Sequence, residues 1–287
     1  MTTREFTTSL AAALQPLYPE REAQAIAAVV AEHLLSMDSL QRLMAASAPV
    51  PPAALVALPA VRARLLAHEP VQYVLGAAHF AGMTLEVTPA TLIPRPETEE
   101  LVHVITQTYA ANAALRVLDV GTGSGCLALA LARALPKAEV IAVDISAEAL
   151  AVARRNGARY APQVIFQQVD ILQSLPADLA PGTLDVLVSN PPYVRESERP
   201  EMRDNVLAWE PATALFVPDA DPLLFYRRLA EIGPVLLRPG GGIYLEINEA
   251  LGAETAALLE ARGFVAVTVL PDMFGKARMV RGQRGEP

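Results

Sequence analysis

The chain has 287 residues, of which 52% are hydrophobic, and a formal net charge of −8 at pH 7. That length and apolar content suffice for one large folded domain with a smaller companion and exclude a disordered chain. The acids are scattered and form no block, so the composition carries no basic face of the kind that binds nucleic acid nonspecifically, and no direct nucleic-acid partner is expected.

Up to about residue 75 the chain reads as helices rich in alanine and leucine. Ala25, Ile26, Val29, Val30 and Leu34 recur at three- and four-residue steps and are expected on one buried helix face. Prolines at 16, 19, 49, 51, 52, 59 and 70 cut the region into short helices, because each removes a backbone donor and fits best at a helix start. Residues 1–75 are therefore expected to form a small helical bundle, which either covers a neighbouring domain or grips a macromolecular partner. In HFAGMTLEVTPATLI (79–93), Leu85 and Val87 alternate with polar neighbours after Gly82. That pattern predicts a short β-hairpin, and residues 76–94 read as a linker.

From residue 95 to 287 the pattern alternates between strand and helix. RVLDV (116–120), EVIAVD (139–144), QVIFQQV (163–169), LDVLVSN (184–190) and GGIYLEI (241–247) are short apolar runs suited to strands buried on both faces. Helical segments at 124–135, 146–158 and 221–237 separate them, and FVAVTVL (264–270) and ARMVRG (277–282) would complete a seven-stranded sheet. The alternation predicts an α/β fold, a mostly parallel Rossmann-like sheet with helices on both sides.

Some chemistries are excluded early. The single cysteine, Cys126, allows neither an internal disulfide nor a Cys-rich zinc site, and His33, His68, His79 and His103 lack ligand spacing, so no metal is expected. The opening Met-Thr-Thr-Arg-Glu-Phe has no basic stretch leading into an apolar one, and no apolar run approaches the ~20 residues that span a bilayer. A cytoplasmic, reducing setting without membrane attachment is the expectation.

Three motifs fall at predicted strand ends, where ligands bind in such sheets. DVGTGSG (119–125) follows one strand and opens a helix. Gly121, Gly123 and Gly125 allow a tight turn and close backbone approach to a ligand. The spacing G-x-G-x-G-C departs from the dinucleotide fingerprint at Cys126, which weighs against NAD or FAD, and no P-loop is present. Asp144 ends the next strand, close to the ~20-residue offset at which an acid accepts hydrogen bonds from ribose hydroxyls. The third motif, SNPPYV, raises a question of chemistry. Asn190 brings an amide, Pro191 and Pro192 fix φ and leave their carbonyls free, and Tyr193 supplies a flat face. This is a receptor for a planar group bearing an NH2: the Asn190 oxygen and a proline carbonyl accept its two N–H bonds while the Tyr193 ring stacks on it. Such a nitrogen is a poor nucleophile because its lone pair is delocalised. Two carbonyl acceptors would orient it and stabilise the charge that grows if it is methylated.

DVGTGSG, Asp144 and SNPPYV together resemble the class I S-adenosylmethionine-dependent methyltransferases that carry an N/D-P-P-Y motif. HEPVQYVLGAAHFAGMTLEVTPATLIPRPETEELV (68–102), WEPATALF (209–216) and GGGIYLEI (240–247) narrow the resemblance to the bacterial release factor glutamine methyltransferases of the HemK type. That resemblance implies transfer of a methyl group from S-adenosyl-L-methionine to the side-chain amide nitrogen of the glutamine in the Gly-Gly-Gln motif of class I peptide chain release factors. A monomer is the separate expectation, which nothing in the sequence fixes. The resemblance also implies that Gly121, Thr122, Gly123, Ser124 and Gly125 run beside the methionine part of the cofactor, with Asp144 on its ribose. Asp170 and Ile171 would border the adenine, Ile171 standing where some relatives carry a large aromatic. Asn190, Pro191, Pro192 and Tyr193 would hold the substrate glutamine, with Asn190, Pro191 and Tyr193 acting in catalysis and Asn190 also next to the cofactor. Pro96 and Glu97 in IPRPETEE suit the first turn of a helix near the cofactor, and Arg95 suits a structural ion pair at least as well as a catalytic role. A methyltransferase of a large-subunit ribosomal protein, or an adenine amino-methyltransferase of DNA or RNA, would share the Asn-Pro-Pro-Tyr site. The PRPETE stretch favours release factors, and no added basic, aromatic-interleaved stretch supports nucleic acid.

Overall fold

The first helix starts where Thr2 and Glu5 satisfy each other: the Thr2 hydroxyl accepts from the Glu5 N–H at 3.2 Å, and the Glu5 carboxylate accepts from the Thr2 N–H at 2.8 Å. In the computed structural model, which describes residues 1–177 and 179–286, this helix is α1 (Thr3–Leu14). It is followed by α2 (Glu20–Leu35), α3 (Ser39–Met44), α4 (Pro52–Leu66) and α5 (Val71–Leu75). Residues 1–77 together with 203–209 form one unit, and the rest of the described chain forms a second.

The core of the first unit gathers Phe6, Leu10 and Leu14 of α1 against Ala23, Ala27, Val30 and Leu35 of α2 and Leu65 of α4. Of the α2 residues expected on one face, Ile26, Val30 and Leu34 pack on this core, and Ala25 and Val29 do not. Ala25 is exposed and Val29 is 40% exposed, while Ala23, Ala27 and Ala31 are buried with Val30 and Leu35. Packing decides this: small side chains on α2 leave room for Phe6 and Leu10 of α1, so the alanine stripe turns inward and a larger valine stays outside. Arg203 joins this unit through an ion pair with Glu22 at 2.9 Å. Both groups are substantially solvated, so the pair contributes roughly 0–1 kcal/mol.

The second unit begins with a hairpin, β1 (Ala77–Phe80) and β2 (Met83–Glu86), turned by Ala81 and Gly82 with φ of 46° and 71°, the left-handed pair that a type I′ turn requires. Phe80, Met83 and Leu85 are buried in the core of this unit, and the backbone of Thr84 is bracketed by the Tyr160 hydroxyl at 3.0 and 2.8 Å. The stretch that reads as a linker thus carries a hairpin built into the larger unit, because its alternate side chains are apolar and have a sheet-and-helix core to enter.

There follow α6 (Pro96–Thr108), β3 (Arg116–Val120), α7 (Cys126–Ala134), β4 (Glu139–Asp144), α8 (Ala147–Tyr160), β5 (Ile165–Gln168) and β6 (Leu184–Ser189). Beyond these come β7 (Val194–Arg195), α9 (Asp204–Trp209), α10 (Ala212–Leu215), β8 (Phe216–Val217), α11 (Leu224–Leu236), β9 (Leu237–Glu246), α12 (Gly252–Ala261), β10 (Phe264–Pro271) and β11 (Ala277–Arg284). Seven strands form one sheet in the order β10-β11-β9-β6-β3-β4-β5. Pairings among β9, β6, β3, β4 and β5 are parallel, and β11 runs antiparallel to both of its neighbours. This is the Rossmann-like, mostly parallel α/β sheet expected from the sequence.

Both faces are covered, which is why the strands read as continuous apolar runs. Val117 and Val140 face one core with Leu127 and Leu131 of α7. Their neighbours Leu118 and Ile141 face the other with Tyr226, Leu229 and Leu236 of α11. Each such fully buried aliphatic side chain contributes ~1.5–3 kcal/mol of transfer free energy. Close packing also explains Gly157 on α8, where an added Cβ would lie 2.7 Å from Cε2 of Phe166 on β5. Gly157→Val is expected to cost ~2 kcal/mol by overpacking, seen as a lower urea midpoint; an unchanged midpoint would mean that the ring yields freely. Among the described residues no helix is long and apolar enough to cross a membrane.

Candidate functional site

The chain runs from β3 to β4 and β5 on one side and then returns to place β6 on the other side of β3. The loops that leave β3 and β6 therefore diverge and open a crevice at the carboxyl ends of the strands. A cavity of about 360 Å³ lies there. Gly121 and Gly123 line it after β3, Asp144 after β4, Asp170 and Ile171 after β5, and Asn190, Pro191 and Pro192 after β6. Ala90–Leu92, Pro211, Phe216, Leu224 and Phe225 complete mostly apolar walls with a few convergent polar groups, the usual composition of a small-molecule site. A second, larger depression of about 700 Å³ along α6 and α7 is lined by none of these motif residues.

Gly121, Gly123 and Gly125 have φ of 75°, 55° and 85°, so the loop needs residues without a Cβ penalty. Gly125 stands at the N-terminus of α7, where an added Cβ would approach Leu129 and Ala153 at 3.3 and 3.4 Å. Thr122, Ser124 and Gly125 belong to the loop but do not line the cavity. The Thr122 hydroxyl turns down to Asp119 at 2.7 Å, and the Ser124 carbonyl accepts from the buried Asn156 amide at 3.0 Å. Asn156 also bonds the N–H and C=O of Glu86 at 2.7 and 3.0 Å, so one side chain ties the glycine loop to the hairpin.

Asp144 combines two jobs. Its carboxylate accepts from the Gly123 N–H at 2.8 Å and the Ser146 N–H at 2.9 Å while it lines the cavity. The cap of α8 is the Ser146 hydroxyl, which accepts from the Ala149 N–H at 3.1 Å. Burial pushes the Asp144 carboxyl above its ordinary value, against the pull of its backbone hydrogen bonds. Asp170 accepts from the Leu172 N–H at 3.0 Å and the Gln173 amide at 2.6 Å, which holds the turn after β5.

Beneath the loop, Asp119 is fully buried. One oxygen takes the Thr122 hydroxyl at 2.7 Å and the Ala128 N–H at 3.2 Å; the other has no hydrogen-bond partner among the described residues. Desolvation pushes this carboxyl up to about 7 from 3.8. A carboxyl raised in the folded state is one whose ionised form folding disfavours, so stability is lost as pH rises from the unfolded value toward the folded one. Asp119→Asn is accordingly expected to gain stability relative to the parent chain between about pH 4 and about pH 8. Thermal denaturation of both proteins across that range checks it, and parallel curves would contradict it.

Asn190 extends from the end of β6. Its Nδ2 donates to the Thr98 hydroxyl at 3.2 Å, and that hydroxyl donates to Glu246 Oε2 at 2.6 Å. Tyr193, whose ring is expected to face the ligand, does not line the cavity. Its hydroxyl donates to Glu246 Oε1 at 3.1 Å, its N–H donates to the Leu215 carbonyl at 3.1 Å, and its ring packs on the core that includes Leu245 and Ile247. The reason lies in the chain path. After two prolines the backbone enters β7, which pairs with β8, and alternation sends this side chain inward, where a buried carboxylate needs donors. Burial raises Glu246, opposed by the Thr98 and Tyr193 hydroxyls and by the Arg278 charge.

The cavity's lip is tied by Glu210 of the WEPA stretch. Its side chain, 1% exposed, accepts from Arg95 Nη2 at 2.6 Å and from the Ile93 N–H at 3.2 Å. Arg95 is thus held in an ion pair, the structural alternative left open by the sequence, and the pair links residues 90–95 to residues 210–216, both of which border the cavity. Thr98, Glu210, Glu246 and Asp119 were not singled out as site residues in the sequence. All four lie within stretches quoted for resemblance or spacing, but the partners of Thr98, Glu210 and Glu246 are distant in the chain.

Two family models match, the PrmC N-terminal domain over residues 5–76 and the methyltransferase small domain over residues 98–210. A release factor glutamine methyltransferase from Bacteroides thetaiotaomicron is 46% identical over 272 residues, 94% of this chain and 96% of that protein. One from Flavobacterium psychrophilum is 38% identical over 98% of this chain and 99% of that protein. Among solved structures, a methyltransferase from Pyrococcus furiosus matches with a TM-score of 0.52 at 20% identity, covering 78% of this chain and 98% of that one. A T. thermophilus 16S rRNA methyltransferase in complex with AdoMet and guanosine matches with a TM-score of 0.53 at 20% identity, covering 72% and 49%. Those two likenesses show the methyltransferase fold alone. Near-complete mutual coverage at 38–46% identity goes further: the chain is an enzyme of the release factor glutamine methyltransferase family.

Proposed function

We propose that this enzyme transfers a methyl group from S-adenosyl-L-methionine to the side-chain amide nitrogen, N5, of the glutamine in the Gly-Gly-Gln motif of class I peptide chain release factors. The observation that carries the reading is that Asn190, Pro191 and Pro192 line the same cavity as Gly121, Gly123 and Asp144. A cofactor pocket and a receptor for an amide are thereby contiguous.

The residues present fit the cofactor. Gly121 and Gly123 leave open space where side chains would stand, since an added Cβ at Gly121 would meet only the Asn190 carbonyl oxygen at 3.9 Å and one at Gly123 would meet nothing within 4 Å. Gly121 to Gly125, with Thr122 and Ser124 shaping the loop from below, would run beside the methionine part. Asp144 would accept from the ribose hydroxyls, since each of its oxygens accepts one backbone N–H and a carboxylate offers about four lone-pair sites. Asp170 and Ile171 would border the adenine. When bound, S-adenosyl-L-methionine supplies a methyl group on a positively charged sulfur, which keeps the bonding electron pair as the carbon passes to the substrate nitrogen.

The chain's own part is orientation and charge stabilisation. The Asn190 amide oxygen and the Pro191 carbonyl accept the two N–H bonds of the glutamine amide. They hold its nitrogen in line and stabilise the positive charge that develops on it. Once it has become cationic, the nitrogen is strongly acidic and gives one proton to solvent water, so no strongly basic side chain is needed. Tyr193 serves by fixing the loop, through Glu246. The N-terminal helices, residues 1–75, dock the protein substrate: Leu40, Leu43, Met44 and Val56 are 64%, 71%, 83% and 81% exposed, more apolar surface than a solvent-facing helix pair needs.

The test is incubation of the purified protein with labelled S-adenosyl-L-methionine and, separately, a release factor, a large-subunit ribosomal protein and adenine-containing DNA, with the label located by peptide mass spectrometry. Label on the Gly-Gly-Gln glutamine is the expected result. Label on only the ribosomal protein or the DNA would overturn the substrate.

A further inference from the structure

An asparagine amide presents oxygen on one side and NH2 on the other, and a site that must accept two N–H bonds works only if the oxygen faces the cavity. What decides the orientation of Asn190 is a short relay of groups outside the cavity. The parallel register pairs Ser189 of β6 with Leu245 of β9, so one step further on Asn190 and Glu246 emerge side by side at the strand ends. Pro96 opens α6, which sets Thr98 in its first turn, and the Thr98 side chain stands between them. Thr98 and Glu246 are each 1% exposed, so water does not compete for their hydrogen bonds.

The polarity of the relay follows from the inventory of protons. The Glu246 carboxylate only accepts, and it takes the Tyr193 hydroxyl at 3.1 Å and the Thr98 hydroxyl at 2.6 Å. Thr98 has a single hydroxyl proton, which is spent on Glu246, so toward Asn190 its oxygen only accepts. Asn190 must then turn its NH2 to Thr98, at 3.2 Å, which leaves Oδ1 on the other side. Were Glu246 a donor, the Thr98 proton would be free to point at Asn190, and the amide would flip to present NH2 to the ligand.

We propose that Thr98 and Glu246 are positioning residues that fix the Asn190 amide with its oxygen toward the substrate, and so make the site select a side-chain amide over a carboxylate. The selection rests on the function proposed above; the orientation does not.

The full-length protein with S-adenosylhomocysteine bound tests both parts. The side-chain 15N–1H2 signals of Asn190, assigned by their loss in Asn190→Asp, are compared in the parent chain, Thr98→Val and Thr98→Ser. The hydrogen-bonded shift of the amide proton is expected in the parent and in Thr98→Ser and is lost in Thr98→Val. Peptides carrying Gly-Gly-Gln or Gly-Gly-Glu are titrated in parallel. Thr98→Val is expected to bind the glutamine peptide about tenfold more weakly and to lose its preference over the glutamate peptide, while S-adenosylhomocysteine affinity is unchanged and Thr98→Ser restores the preference. Glu246→Gln, isosteric but a donor, is expected to do the same and stands in should Thr98→Val fail to fold. Asn190 signals that do not move in Thr98→Val and Glu246→Gln overturn the proposal. Signals that move as expected in a protein that methylates no glutamine leave the orientation standing and overturn the substrate reading instead.

Discussion

Asn190→Ala is expected to lower kcat for glutamine methylation by about 10²–10³-fold, the range found when one preorganised polar contact to a developing charge is removed from an enclosed site. The substitution deletes the amide oxygen that receives one substrate N–H, and the Pro191 carbonyl alone cannot hold the nitrogen against rotation. It also frees the Thr98 hydroxyl from its 3.2 Å partner, but Thr98 keeps its bond to Glu246 at 2.6 Å, so the frame around the site survives. Loss is therefore expected in kcat with a smaller change in cofactor affinity, although Asn190 borders the same cavity. Steady-state kinetics with a release factor, together with calorimetry for S-adenosylhomocysteine, separates the two. Full activity in the variant would sink the assigned mechanism, because a turn of two prolines needs no asparagine before it.

The second large effect falls on the cofactor. Asp144→Ala is expected to weaken S-adenosylhomocysteine binding by roughly 10–100-fold, the equivalent of the ~1.5–3 kcal/mol that a hydrogen bond to a charged group contributes. Part of any loss could come from the loop, since the same carboxylate accepts from Gly123 and Ser146. A cofactor analogue lacking the ribose hydroxyls isolates the direct part: the parent chain should lose affinity for it, while Asp144→Ala should bind it no worse than the intact ligand. Additive losses would place Asp144 in loop support alone. The direction of pH dependence follows from burial, which raises this carboxyl above its ordinary value. Protonation removes acceptor capacity, so affinity should fall as pH is lowered, starting at a higher pH than for an exposed aspartate.

Much of the enzyme is legible in its sequence because its signals are local. The run of strand, glycine-rich turn and helix at 116–134, the acid at the end of the next strand and the Asn-Pro-Pro sequence each encode their conformation within a few residues, through φ requirements and alternation that depend little on the rest of the chain. The apolar strands announced a sheet buried on both faces for the same reason. Four features were decided only by tertiary packing. Whether Ala27 or Val29 of α2 faces inward depends on the bulk of Phe6 and Leu10 on another helix. Whether residues 77–86 link or belong to a core depends on a hydroxyl and an amide from α8. Tyr193 faces Glu246 and not the cavity because β7 finds a partner in β8. The relay that orients Asn190 joins side chains 92 and 148 positions apart. A hydrogen bond over such a separation leaves no periodicity and no spacing in the sequence; it exists because parallel strands in register and the first turn of α6 bring three polar groups into one dry place, where each must find a partner.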